Sequence, residues 1–216
     1  NNSQILNLIL EKNQNLLPPK IHKQLKEVQS EIDESILRMN RVASSILVLS
    51  EVESQNLQEI HELNLEKQLE QLVNNMRNKA TVKGLNFEVK MNLKRGKYFG
   101  GGVHLEQILT ILLDNAIKYT KSGSVDLTID LDESGMIAKV EDTGTGIEPT
   151  EINKVFDRFY RGKKNKDSTI EGLGLGLYVA KKISEKLGGK ISCEVSSNGG
   201  SIFKVNLPVY KKNKQG

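Results

Sequence analysis

Three short stretches of this chain carry residue types that could handle a nucleotide. The first is Asp114-Asn115-Ala116-Ile117-Lys118-Tyr119-Thr120. Asn115 interrupts a run of apolar residues (Ile108, Leu109, Ile111, Leu112, Ala116, Ile117) at helical spacing, and a buried amide must be satisfied. Either it bonds to a neighbouring loop, or its oxygen binds Mg²⁺, a hard cation that takes oxygen ligands and keeps waters and phosphate oxygens. Lys118 follows one turn on, where an ammonium can meet a phosphate, and Tyr119 can pack on an adenine ring. The second stretch is Asp142-Thr143-Gly144-Thr145-Gly146. A carboxylate at a strand end can accept the hydrogens of an adenine amino group, and Gly144 and Gly146 permit positive φ and close backbone approach. The same pattern also makes an ordinary Asx turn. Ile147 would then line an apolar wall. The third, Gly172-Leu173-Gly174-Leu175-Gly176-Leu177, leads into a helix whose free amides and dipole suit an anion. It matches the dinucleotide fingerprint poorly, since that pattern belongs after the first strand of a βαβ unit.

These stretches need elements to position them. Hydrophobic spacing predicts a helix over 4–17, stopped by Pro18-Pro19. A long helix follows, with Ile21, Leu25, Val28, Ile32, Met39, Val42, Ile46 and Leu49 stepping by three and four around Ser35. Such a heptad stripe needs a partner helix. Two helices and a bend make a hairpin whose own core is too small, so pairing into a dimeric four-helix bundle is expected. Beyond it, residues 64–83 read as a helix, 85–93 as a strand, 105–119 as an apolar helix, and 125–131 and 136–141 as strands joined by a turn. A short helix over 151–159, a basic loop over 160–172, a helix over 173–187, and a hairpin of strands 190–196 and 201–207 complete the pattern. The class is α+β: a two-helix hairpin over 1–60, then an α/β sandwich with a mixed sheet covered by helices over 64–211.

Composition narrows the classes. Lys and Arg number 31 against 27 Asp and Glu, an excess too small to indicate nucleic-acid binding. Part of it is local: Arg158, Arg161, Lys163, Lys164 and Lys166 fall in one segment. A charge run is usually a solvated face, but between a carboxylate site and a phosphate-binding helix start it reads as a lid over phosphates. The single cysteine, Cys193, excludes an internal disulfide and a cysteine-rich metal site; a reducing, cytoplasmic setting fits. No run approaches the roughly 18–20 apolar residues of a membrane span. The chain begins at Asn1 without Met, so a fragment is expected, with any membrane anchor upstream.

In this order the motifs resemble the ATP-binding domain of sensor histidine kinases, which shares a superfamily with gyrase-, Hsp90- and MutL-type ATPases. Asn115 matches the Asn box and Asp142 to Gly146 the first glycine box. Phe156-Asp157-Arg158-Phe159-Tyr160-Arg161 matches the Phe box, Gly172 to Leu177 the second glycine box, and Gly199-Gly200-Ser201-Ile202-Phe203 with Leu207-Pro208 the domain end. The resemblance implies a protein-histidine kinase using ATP and Mg²⁺. Asn115 would hold the metal, and Asn115 and Lys118 would serve catalysis. The nucleotide would be held by Asn115, Lys118, Tyr119, Asp142, Gly144, Gly146, Ile147, Phe159, Arg161 and the six residues from Gly172 to Leu177. It also implies a homodimer through the hairpin and a response-regulator receiver domain as the recipient of the phosphoryl group. A degenerate kinase acting as a dimeric nucleotide-binding scaffold is the alternative, and an ATPase of a molecular machine a third reading.

Three departures stand out. Ile111 occupies a position where the family usually has a second asparagine and its ATPase relatives a glutamate that activates water. Leu173 replaces a common Thr or Ser. None of the three histidines (His22, His61, His104) fits the phosphoacceptor pattern, and counting back from the second helix places the acceptor at or just before Asn1.

Overall fold

The computed structural model describes residues 12, 18–54, 61–93, 98–100, 102–132, 135–162 and 173–209. The expected helix over 4–17, apart from residue 12, and most of the basic loop, with Gly172, lie outside the described residues. The chain divides into two compact units, Asn1–Ile46 and Leu47–Gly216.

The helix α1 (Pro19–Ser54) opens directly after Pro18, as proline permits at a helix start. Six members of its apolar stripe are exposed: Ile21, Leu25, Val28, Ile32, Met39 and Ile46 lie between 40% (Leu25) and 70% (Met39).

In the second unit, α2 (Leu65–Val82) begins at Asn64, whose side chain accepts from the Lys67 amide at 3.1 Å, a helix cap that satisfies a free donor. Its buried residues Leu65, Leu69, Leu72, Val73, Met76 and Ala80 recur at three- and four-residue steps, so one face enters the core. The helix α3 (Gly102–Tyr119) buries Leu105, Ile108, Leu109, Leu112, Leu113, Ala116 and Ile117. It packs against α2 and against α4 (Gly176–Lys186). The end of α3 is held by Lys83, whose ammonium donates to the carbonyls of Ile117 (2.6 Å) and Lys118 (2.8 Å). A cation there satisfies carbonyls that a helix end leaves free and meets the negative end of its dipole.

Five strands form one sheet: β2 (Asn86–Leu93), β4 (Ser124–Leu131), β5 (Met136–Asp142), β6 (Lys190–Val195) and β7 (Ser201–Leu207), in the order β2-β4-β5-β7-β6. Only β2 and β4 run parallel; the other pairs are antiparallel. The sheet is thus mixed and covered by helices, as expected. Strand alternation decides what faces the core. Val125, Leu127, Ile129 and Leu131 of β4 are buried, as are Met136, Ala138, Val140 and Asp142 of β5 and Ser201, Phe203, Val205 and Leu207 of β7. Two polar residues, Asp142 and Ser201, therefore stand on the buried face at one end of the sheet.

The structure differs from the sequence reading in three places. Residues 151–159 form no α-helix: a single 3-10 turn (Pro149–Glu151) passes into successive turns, with Asp157 bonding back to Lys154 and Tyr160 to Asp157. Three-residue closures like these cannot continue an α-helical ladder. The last helix starts at Gly176 rather than 173, because Gly174 has φ 68°, outside the right-handed helical region. A ribbon of β1 (His61–Leu63) and β3 (Tyr98–Gly100) lies apart from the main sheet. Neither strand was evident, since three residues are too few to show alternation.

Leu109 is fully buried in this core. Leu109→Ala should destabilise the domain by about 2–5 kcal/mol, the usual cost of lost burial plus a residual cavity, read as a lowered urea midpoint at unchanged slope.

Candidate functional site

The polar end of the sheet opens into a cavity of about 90 Å³ between β5, β7, α3 and the turns after β5. Asp142 lies at its inner side and is 2% exposed. Its carboxylate accepts from the Ser201 hydroxyl (2.6 Å) and the Gly144 amide (2.8 Å), with the Ser201 amide at 3.4 Å. The Asx-turn alternative is therefore realised by one oxygen, in a residue that also faces the cavity. Burial pushes the Asp142 carboxyl above its ordinary value, outweighing the hydrogen bonds that act the other way. Desolvation penalises the charged form, and three donors only partly offset that.

Apolar walls flank this carboxylate: Ala116 and Tyr119 from α3, Ile147, Val155, Leu177 from α4, and Phe203 from β7. Phe156 packs edge-on against Phe203, ring centroids 6.2 Å apart, and so buttresses that wall from behind. Asn115 and Arg161 supply further polar groups. Tyr119's phenol is raised by burial, with the Arg161 charge pulling it down, which puts the two side chains in one electrostatic neighbourhood. Gly146, with φ 65°, leaves no room for a Cβ, which would run into the Gly199 carbonyl. This seats the glycine turn on the β6–β7 hairpin and holds Ile147 at the wall.

Of the residues expected from the sequence, Asn115, Tyr119, Asp142, Gly146, Ile147, Arg161 and Leu177 line one cavity. Gly144 contributes its amide to Asp142 instead. The Lys118 ammonium lies over the Tyr119 ring, 5.1 Å from its centroid. Phe159 turns outward, 62% exposed, with the Arg158 guanidinium 5.6 Å from its ring centroid. Leu173, Gly174, Leu175 and Gly176 do not line the cavity; they form the entry into α4, where Leu175 is buried. Sequence reading passed over Glu151, Tyr160 and Ser201, which also line it. Period-two alternation from Leu207 back along β7 points Ser201 inward, so that signal was available. Glu151 gave no such signal, because its placement depends on irregular turns. Of the histidines, His22 lies on α1, His61 on strand β1 opposite Gly100, and His104 on α3 with its Nδ1 3.2 Å from the Gln107 amide oxygen.

The family described as histidine kinase-, DNA gyrase B- and HSP90-like ATPase matches residues 100–211. The chain belongs to that family. Among curated relatives, the sensor protein SrrB of Staphylococcus aureus strain N315 is 32% identical over 187 residues, which is 86% of this chain and 32% of that protein. SrrB of strain NCTC 8325 / PS 47 is 34% identical over 82% of this chain and 30% of its own length. This ATPase-family chain thus spans about a third of the curated relatives it matches. Two solved structures share its fold. Full-length ShkA in complex with AMPPNP superposes with a TM-score of 0.71 at 22% identity, covering 87% of this chain and 39% of that one. The Acinetobacter baumannii histidine kinase AdeS gives 0.64 at 21% identity, over 94% and 95%. The resemblance to sensor histidine kinases read from the motifs is borne out.

The raised Asp142 pKa has a consequence for stability. A group whose folded pKa is raised stabilises the fold fully below its unfolded pKa, near 3.8, and loses that contribution as pH rises through the folded value. Above the folded value the ionised carboxylate is therefore a net cost. Asp142→Asn should melt no lower than the parent at pH 7, and its relative standing should fall as pH approaches 4, followed by thermal denaturation across that range.

Proposed function

We propose that this chain is the catalytic core of a two-component sensor histidine kinase. On this reading it binds Mg²⁺·ATP and transfers the γ-phosphoryl group to a histidine, from which a response-regulator aspartate receives it. The observation that carries the reading is the buried Asp142 carboxylate facing a cavity with apolar walls, whose further polar groups include Asn115 and Arg161. A carboxylate beside apolar walls suits an adenine: the ring is buried while its amino group donates to the acid. Ser201 donates to both Asp142 oxygens, its hydroxyl to one and its amide to the other, which would keep the carboxylate aimed when the adenine leaves.

The residues present fit the nucleotide and its metal. Among the described residues no three His, Cys, Asp or Glu side chains cluster as a metal site. A metal here would use few protein ligands, and Mg²⁺ tolerates that when phosphates and waters complete its shell. Asn115, which lines the cavity, would be the protein's oxygen donor. Bound Mg²⁺·ATP supplies the transferable phosphoryl group and neutralises its charge. The protein's part is positioning and electrostatic stabilisation: Asp142 and Tyr119 orient the base, and Arg161 and Lys118 offer cations toward the phosphates. The domains are assigned as a hairpin over 1–60 and an ATP-binding domain over 64–211. The exposed stripe of α1 serves as a homodimer seam, since a row of half-exposed Ile, Leu, Val and Met at heptad spacing is satisfied by a second copy.

One observation favours the degenerate-scaffold reading. The Ile111 side chain lies against Gly176 at the start of α4, 3.2 Å from where a Cβ would stand, so an apolar group occupies a place that could have held a polar one. The two readings share nucleotide binding and part at transfer.

Titration calorimetry with ATP and Mg²⁺ tests the shared part. Asp142→Asn should lower affinity at least tenfold, the scale of losing a buried charge-assisted hydrogen bond, and Asn115→Ala should abolish the gain in affinity that Mg²⁺ brings. Equal binding by the parent and Asp142→Asn would refute the adenine assignment. Labelled phosphoryl transfer to an added intact acceptor hairpin separates live kinase from scaffold. For the seam, Ile32→Lys should convert a dimer to a monomer in sedimentation equilibrium.

A further inference from the structure

Phe159 is the one non-glycine residue with positive φ (63°) among the described residues. That region is sparsely populated for a bulky side chain, and such a conformation persists only where its surroundings over-determine it. Its consequence is visible at once. The ring of Phe159 swings outward, while the next three residues, Tyr160, Arg161 and Gly162, all line the cavity. On one side the turn is fixed by backbone. The Phe159 amide donates to the Gly174 carbonyl at 3.0 Å, and the Tyr160 amide to the Asp157 carbonyl at 3.2 Å. Gly174 itself, at φ 68°, is covered so closely by the Phe159–Tyr160 backbone that a Cβ there would collide with it.

On the cavity side the tie is a side chain. Glu151, at the end of the 3-10 turn, is only 5% exposed and lines the cavity. The Tyr160 hydroxyl donates to its carboxylate at 2.8 Å. We propose that Glu151 is a positioning residue of the nucleotide pocket, acting through the Tyr160 hydroxyl to hold the strip from Phe159 to Gly162 in its strained, inward-facing course. The assignment rests on the nucleotide reading of the cavity given above. Burial, and then the bond to Glu151, push the Tyr160 phenol up to about 12, so it remains a protonated donor across the working pH range. The role of Glu151 is to keep Tyr160 and Arg161 where the pocket needs them. A buried carboxylate is costly unless hydrogen-bonded, so pair and turn hold each other.

The test is a double-mutant cycle on the whole chain, with AMPPNP and Mg²⁺ as the probe in titration calorimetry and a thermal melt of each variant. Glu151→Leu and Tyr160→Phe should each weaken AMPPNP binding by about 3- to 10-fold, the loss of one hydrogen bond's worth of positioning. The double variant should be no weaker than the worse single one, because both changes break the same link. Glu151→Gln, whose amide oxygen accepts the same bond, should stay within about twofold of the parent. A purely structural role would lower the melting point while leaving affinity of the folded variants unchanged, and that result overturns the proposal. So does a double variant whose loss is the product of the two single losses. Should Glu151→Leu fail to fold, Glu151→Ser, which keeps a polar group too short to reach Tyr160, takes its place in the cycle under the same criteria. Failure of the parent to bind AMPPNP would remove the nucleotide reading and this proposal with it. Binding by the parent with unchanged affinity in Tyr160→Phe removes the proposal alone.

Discussion

The structure of the second unit turns on one buried carboxylate. Asp142 ends a strand whose inward positions are otherwise Met136, Ala138 and Val140, so the sheet's apolar face runs straight into an acid. An acid there must be bonded, and its partners come from separate places: Gly144 in the following turn and Ser201 at the start of β7. Those bonds fix the ends of two neighbouring strands against each other and bend the chain after β5 back over the cavity. Gly200 sits so close to the Asp142 carbonyl that any side chain there would collide with it. The carboxylate is thus both the price of the site and the pin that gives it shape.

Around this pin the fold separates two jobs. The helices α2, α3 and α4 form an apolar layer with no ionised group fully enclosed, while the opposite face of the sheet is charged and laced: Lys139 with Glu141, Glu141 with Ser196, Lys204 with Glu194. The two ion pairs among them are partly exposed and contribute little stability. Their use is to keep the outer face wet, so that the alternation along each strand has a single solution. A one-residue slip would carry Asp142 and Ser201 to solvent and bring Lys139 and Glu141 into the core.

That alternation is why so much is legible in the sequence. Strands β4, β5 and β7 and the apolar face of α3 announce themselves by period, and Asp142, Tyr119 and Asn115 fall at their ends in the order that nucleotide-binding motifs require. What stayed hidden follows from local irregularity. Residues 151–160 carry a helix-like apolar spacing (Ile152, Val155, Phe156, Phe159), yet the chain takes tight turns. The reversal at Phe159 and the bond from Tyr160 to Glu151 are long-range outcomes that no propensity encodes. The second glycine-rich stretch was read as a continuous run into a helix. Gly174 instead adopts a left-handed conformation to lie beneath Tyr160, which spends part of the motif on packing. The short ribbon of β1 and β3 exists only because its two strands meet across the intervening α2 and β2.

The parallel pairing of β2 and β4 has a kinetic meaning. Parallel neighbours require a crossover, and α3 lies within it. The helix that carries Asn115 and Tyr119 is therefore the loop that this pairing closes, and closure of so long a segment comes before its contacts repay the lost entropy. The cavity needs α3 laid on the sheet and β7 added beyond β5, contacts far apart along the chain. No early, locally folded fragment of this protein holds all its walls, so the capacity to bind arrives with the completed topology and disappears with the first strand to leave it.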